Sequence, residues 1–239
     1  MSPPVRQKVT LITGATSGIG LALAARLAGR HRLLLTGRNL APLDALRLGP
    51  DDRRFALDLS DPLAASEALA AALDRLGIDR LDHVVLSAGL GGYGAPETES
   101  ADLVRQTLAV NLTGPVCLAR MLLPRLEAAA GRLTLIGSVA HKGSPKAASY
   151  AASKAGLAGF ARALREEWRG RVAVQIIHPG PVVTPMHGRA GYQPGRLARL
   201  FLSPERAAIE IEKLMASGRS PATVFAWARL RQFLSGTRS

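Results

Sequence analysis

Strand-length runs of unbroken apolar residues alternate with longer Ala- and Leu-rich stretches along the chain, and no other feature limits its fold so strongly. Runs such as Leu33-Leu34-Leu35 and Val84-Val85-Leu86 show no polar alternation. A strand of that kind is buried on both faces, as in a parallel sheet covered by helices on each side. Strands are expected at Lys8–Thr13, Arg32–Thr36, Phe55–Leu59, His83–Ala88, Leu133–Gly137, Val172–His178 and Ala222–Ala226. The stretches between them carry helical cues. Ser60-Asp61-Pro62, for example, places a capping side chain and a proline directly before Leu63–Leu76. Strand and helix in sixfold alternation predict an α/β fold, a doubly wound parallel sheet of about seven strands with helices on both faces. With no linker and no repeat, residues 1–239 read as one domain. The Gly- and Pro-containing connection 184–203 is the expected substrate lid.

Composition narrows the classes further. Hydrophobic residues make up 47% of the chain, enough for a packed core. The lone cysteine, Cys117, excludes a disulfide framework and a multi-thiolate metal site, and no metal is expected. No run of 18 apolar residues occurs, so no membrane span is expected. The opening MSPPVRQKVT runs directly into the first strand without the regions of a signal peptide, which predicts a cytoplasmic location. The net charge of +13 comes from five lysines and 26 arginines against 18 acids. The arginines are scattered from Arg6 to Arg238 and few aromatics interleave them. That pattern reads as a solvated basic surface able to steer anionic ligands, and no specific nucleic acid is expected.

Between the first strand and the first helix stands Thr13-Gly14-Ala15-Thr16-Ser17-Gly18-Ile19-Gly20. Glycines at a strand-to-helix turn serve tight geometry, but they also let the backbone approach a pyrophosphate at the positive end of the helix. Position in the first βαβ unit favours the second role. The second strand ends in Thr36-Gly37-Arg38. A carboxylate there would bond a ribose 2′-hydroxyl, whereas the guanidinium fork of Arg38 suits a 2′-phosphate. Later, Tyr150 and Lys154 stand four residues apart on one helical face, pairing a phenol with an ammonium that favours its ionised form. Ser138, at the end of the fifth strand, offers a hydroxyl to an oxygen on which charge develops.

The spacing Gly-x-x-x-Gly-x-Gly, with Asn111, Ser138, Tyr150 and Lys154 in that order, resembles the classical short-chain dehydrogenase/reductase family. The likeness extends over about residues 8–216. It implies a Rossmann fold and an NADP(H)-dependent oxidoreductase that exchanges hydride with a small carbonyl or alcohol substrate, in the reductive direction. By the same likeness Tyr150 is the acid/base, Ser138 the oxygen stabiliser, and Asn111 the anchor of a proton relay. Lys154 lowers the pKa of the phenol and, with Tyr150, holds the nicotinamide ribose. The cofactor is expected on Gly14, Ser17, Gly18, Ile19 and Gly20, on Arg38, on the adenine-contacting pair Asp58-Leu59, and on Ala88-Gly89. Pro179, Gly180, Val182 and Thr184 resemble the segment that holds the carboxamide. Ser87 stands where the family has asparagine, which predicts a weaker tie between strands. Two other classes remain open at this point: a non-catalytic NADP(H)-sensing regulator and a nucleic-acid-binding protein.

The helix bearing Tyr150 is poor in bulk, with Gly156 and Gly159 on the face turned from Tyr150. Glycine costs nearly 1 kcal/mol against alanine in a helix, so a packing reason is expected. Residues 109–126 are also apolar around much of a helix. These two helices predict a homotetramer or homodimer, as the family resemblance implies, unless residues 225–234 fold back over the same face.

Overall fold

A computed structural model describes residues 6–189 and 201–224 of the chain. Seven strands form one sheet: β1 (Lys8–Thr13), β2 (His31–Gly37), β3 (Arg53–Ala56), β4 (His83–Leu86), β5 (Arg132–Ile136), β6 (Ala173–Pro179) and β7 (Ala222–Val224). Their order is 3-2-1-4-5-6-7, and every neighbouring pair is parallel. The helices are α1 (Gly18–Leu27), α2 (Pro62–Arg75), α3 (Ala101–Leu108), α4 (Gly114–Glu127), α5 (Ala148–Glu167), α6 (Pro185–Arg189) and α7 (Pro204–Ser217). This is the doubly wound Rossmann arrangement expected from the alternation of apolar runs.

The core divides into two layers because side chains on a strand alternate between faces. Leu11, Leu34, Val84 and Leu135 join one buried cluster with Leu69, Leu118, Leu122 and Leu157 of α2, α4 and α5. Ile12, Leu33, Leu35 and Val85 join the other with Leu23, Leu27, Ile211 and Met215 of α1 and α7. The inner strands β1, β2, β4, β5 and β6 therefore feed both layers, and an unbroken apolar run is the sequence consequence. Asp61 caps α2 as its sequence suggested, accepting from Ala64 N at 3.2 Å with Pro62 next in the chain.

Three expectations need correction, and a long apolar helix needs an explanation. No α-helix joins β2 to β3; a 3₁₀ turn at Ala41–Ala45 does, in a connection broken by Pro42 and Gly49-Pro50. The third strand begins at Arg53 and ends at Ala56, which places Asp58 and Leu59 in the loop beyond it. The continuous helical stretch Ala101–Glu127 is long and apolar enough to cross a membrane, although no unbroken apolar run marks it. Its inner face, with Leu118, Leu122 and Leu126, is fully buried in the first core layer, while other faces of the stretch stay exposed. Gly156 has an intrachain explanation: a Cβ there would lie 2.9 Å from Leu112 Cδ2 of the same chain. Of the expected lid, 190–200 lie outside the described residues, as do the end of the strand expected at 222–226 and the segment 225–234.

Candidate active site

Strand order reverses beside β1, and parallel sheets collect ligands at the carboxyl ends of the strands around such a point. A cleft of ≈ 1270 Å³ opens there. It is lined by every residue singled out for cofactor or chemistry except Asn111, which is buried behind it.

The floor is the turn between β1 and α1. Gly14 takes a left-handed φ of +65°, and a Cβ on it would lie 2.7 Å from Ala88 Cα. The glycine is thus required where the turn meets the end of β4. Thr13 completes that junction, its hydroxyl accepting from Ser87 N at 3.1 Å and Ala88 N at 3.3 Å. The tie expected to suffer from Ser87 is made by Thr13 instead. Ser17, Gly18, Ile19 and Gly20 open α1, whose first turn carries no acid, so its orphan N–H groups and positive end face the cleft uncompensated. Thr184 crosses above, within 2.9 Å of where a Cβ on Gly18 would stand.

At the end of β2, Arg38 is exposed and lines the cleft. Gly37 beside it lacks a side chain because Thr16 occupies that space. Thr16 was missed in the sequence, where a residue between two glycines of a turn carries no distinguishing mark. Asp58 is exposed on the cleft wall, accepting from Ser60 N at 3.0 Å, and it does not cap α2. Leu59 next to it is buried. Gly89 follows Ala88 on the same wall. Opposite stand Pro179, Gly180 and Val182, with Gly180 N donating to Val224 O at 2.7 Å and Val182 paired to Leu202.

The chemical groups converge at the far end of the cleft. Tyr150, one turn into α5, faces Ser138, whose hydroxyl hydrogen-bonds the phenol and pulls its pKa down; burial outweighs that and pushes it above 10.0. Lys154 is buried and donates from Nζ to Ile136 O at 2.9 Å. Its ammonium lies 5.8 Å from the centre of the Tyr150 ring. Burial lowers the lysine to about 8. The sequence reading had the ammonium lowering the phenol; here burial dominates both groups.

Asn111 sits in a π-helical turn, Ala109–Thr113, between α3 and α4. Such turns break the regular register and often mark working sites. Its side chain donates to Leu90 O at 2.6 Å and Ser153 Oγ at 3.0 Å, and accepts from Leu90 N at 2.8 Å. Ser153 Oγ in turn donates to Tyr150 O at 2.7 Å. Asn111 therefore ties the loop after β4 to the turn of α5 that carries Tyr150. Ser153 was also missed: a serine between Tyr150 and Lys154 looks like filler until its partners are known.

The model of the short chain dehydrogenase family matches residues 8–194. The chain belongs to that family. It is 35% identical over 192 residues to a D-threitol dehydrogenase of Mycolicibacterium smegmatis, covering 77% of this chain and 73% of that one. Among solved structures, a short-chain dehydrogenase from Sphingobium yanoikuyae in complex with NADPH superposes with a TM-score of 0.81. The two are 25% identical, with 97% and 96% of the chains covered. A 3-ketoacyl-(acyl-carrier-protein) reductase from Brucella melitensis complexed with NADH gives a TM-score of 0.79 at 25% identity, over 91% and 95% of the chains. This short-chain dehydrogenase is thus an oxidoreductase of a family whose members bind NADPH or NADH.

Proposed function

We propose that this short-chain dehydrogenase uses NADP(H) to reduce the carbonyl group of a small molecule to an alcohol. The observation that carries the reading is the meeting of Tyr150, Ser138 and Lys154 at the end of one deep cleft. The cradle fits a dinucleotide: Gly14, Gly18 and Gly20 line the cleft where α1 begins, and the first turn of that helix offers N–H groups with no acid beside them. Gly14 and Ser17 to Gly20 would hold the pyrophosphate, and Asp58 and Leu59 the adenine. Arg38 would take a 2′-phosphate, and the end of β2 carries no carboxylate to repel one. Ala88, Gly89, Pro179, Gly180, Val182 and Thr184 would hold the nicotinamide end. When bound, the cofactor supplies the hydride.

The protein's own part is proton handling. Burial keeps the Tyr150 phenol protonated at neutral pH, the form needed to give a proton to a developing alkoxide. Ser138 would hydrogen-bond the same oxygen. Lys154, fixed by Ile136 O, would bond the ribose and keep positive charge beside the phenol. Asn111 would hold the loop and the helix in register, anchoring the relay.

The same proposal includes a homodimer or homotetramer paired through α4 and α5. Beyond Gly159 there is open space on the outer face of α5, where Ala152, Ala155 and Ala163 are exposed. The deciding experiment is a panel of aldehydes and ketones assayed with NADPH and NADH, wild type against Tyr150→Phe. NADPH oxidation that Tyr150→Phe reduces about 10²–10⁴-fold, with NADPH still bound, supports the reading. Near-wild-type turnover by Tyr150→Phe would sink it.

A further inference from the structure

Two histidines outside the constellation above close on a single atom of it. Ser138 follows β5 in extended conformation, φ −164° and ψ 152°. Its carbonyl oxygen lies 2.7 Å from His141 Nδ1 and 3.1 Å from His178 Nδ1. The backbone N–H of His141 also donates to it, at 3.1 Å. A carbonyl oxygen only accepts, so both imidazoles must carry hydrogen on Nδ1 to bond it. The rings stack on each other, centres 4.0 Å apart and planes 28° apart.

His178 is only 4% exposed and comes from β6, the strand beside β5. The chain makes room for it: a Cβ on Gly137 would stand 2.5 Å from His178 Nδ1. A glycine at the end of a central strand gives up packing, and close approach of another group is the usual reason. Burial above all, and then the neighbouring His141, Lys154 and Lys142, lower the pKa of His178 to about 4, against the upward pull of its own bond to Ser138 O. At neutral pH it is therefore an uncharged donor, locked in one tautomer by the carbonyl it serves.

Clamping the carbonyl fixes the peptide plane, and with it the arc through which the Ser138 side chain turns. The hydroxyl accepts from Ala140 N at 3.1 Å. That leaves its own proton to point at the phenol of Tyr150. We propose that His178, backed by the stacked ring of His141, is a positioning residue that aims the Ser138 hydroxyl by holding its backbone carbonyl. The inference rests on the reading of Ser138 and Tyr150 as the proton-handling pair.

The test replaces His178 in the full chain by leucine and by asparagine. Asparagine can place an N–H at the same number of bonds from Cβ as Nδ1–H, whereas leucine has no donor. His178→Leu should lower kcat for carbonyl reduction about 10–100-fold while the KM for NADPH changes far less, since the displaced Ser138 hydroxyl meets the substrate oxygen and not the dinucleotide. His178→Asn should recover most of the loss. A second readout needs no turnover: the tyrosinate absorbance present in wild type and missing from Tyr150→Phe. It should appear at higher pH in His178→Leu and move back in His178→Asn, because the Ser138 hydrogen bond that favours the phenolate is lost and regained. Wild-type kcat and an unmoved Tyr150 titration in His178→Leu would overturn the inference. So would an asparagine variant that melts like wild type yet is as impaired as leucine. Turnover surviving in Tyr150→Phe would remove the proposed function instead, and the titration would then decide the clamp alone.

Discussion

Asn111→Ala tests how the site is held together. The side chain is fully buried and makes three hydrogen bonds, two to the backbone of Leu90 and one to Ser153 Oγ. Truncation strands the N–H and the C=O of Leu90, a half-buried residue on the cleft wall, and each costs at most what a fully buried group does, about 1–3 kcal/mol. Ser153 keeps its bond to Tyr150 O and adds little to the loss. Two stranded groups give at most about 2–6 kcal/mol, and a water filling the vacated space recovers part, so about 3 kcal/mol is expected. For a chain of this length each kcal/mol moves the midpoint by about 2–4 °C, or about 6–12 °C in all. Thermal melts followed by circular dichroism at one fixed protein concentration measure this. Asn111→Asp should be no better, since it keeps the acceptor for Leu90 N but turns a second oxygen on Leu90 O. A shift below about 2 °C in Asn111→Ala would show that the loop after β4 is held by something else.

Three further outcomes are expected. Arg38→Asp should weaken NADPH use relative to NADH by about 1–3 kcal/mol, the value of a charged hydrogen bond, and equal kcat/KM for both cofactors in wild type would refute that role. Gly159→Arg, on the open face of α5, should shift the light-scattering mass toward the 25.2 kDa monomer; a wild-type mass at that value would already exclude the oligomer. His83 is held at about 4, below its ordinary 6.5, chiefly by burial and then by Lys8. The unfolded chain therefore binds a proton there before the folded one does: stability is full above pH 6.5 and declines as pH falls toward 4. Denaturant midpoints across that range should fall less steeply in His83→Gln, and parallel profiles would show that other groups carry the acid sensitivity.

The alternation of unbroken apolar runs with helical stretches determined the doubly wound sheet, because a strand buried on both faces leaves no polar alternation in its sequence. Glycine spacing, the arginine after β2 and the order Asn111, Ser138, Tyr150, Lys154 likewise located one cleft, since each lies at a strand end or on a helix whose place the alternation had set. The alternation alone suggested a helix between β2 and β3, and Pro42 with Gly49-Pro50 held the warning that a 3₁₀ turn would stand there instead. Partners were the other missing part. That Gly156 serves Leu112, that Asn111 reaches Tyr150 through Ser153, and that Gly137 makes room for His178 depends on residues 44, 42 and 41 positions apart in the chain. The pKa directions of Tyr150 and Lys154 were beyond the sequence for the same reason. Burial sets both, and burial is a property of the packed layers that no spacing between two residues contains.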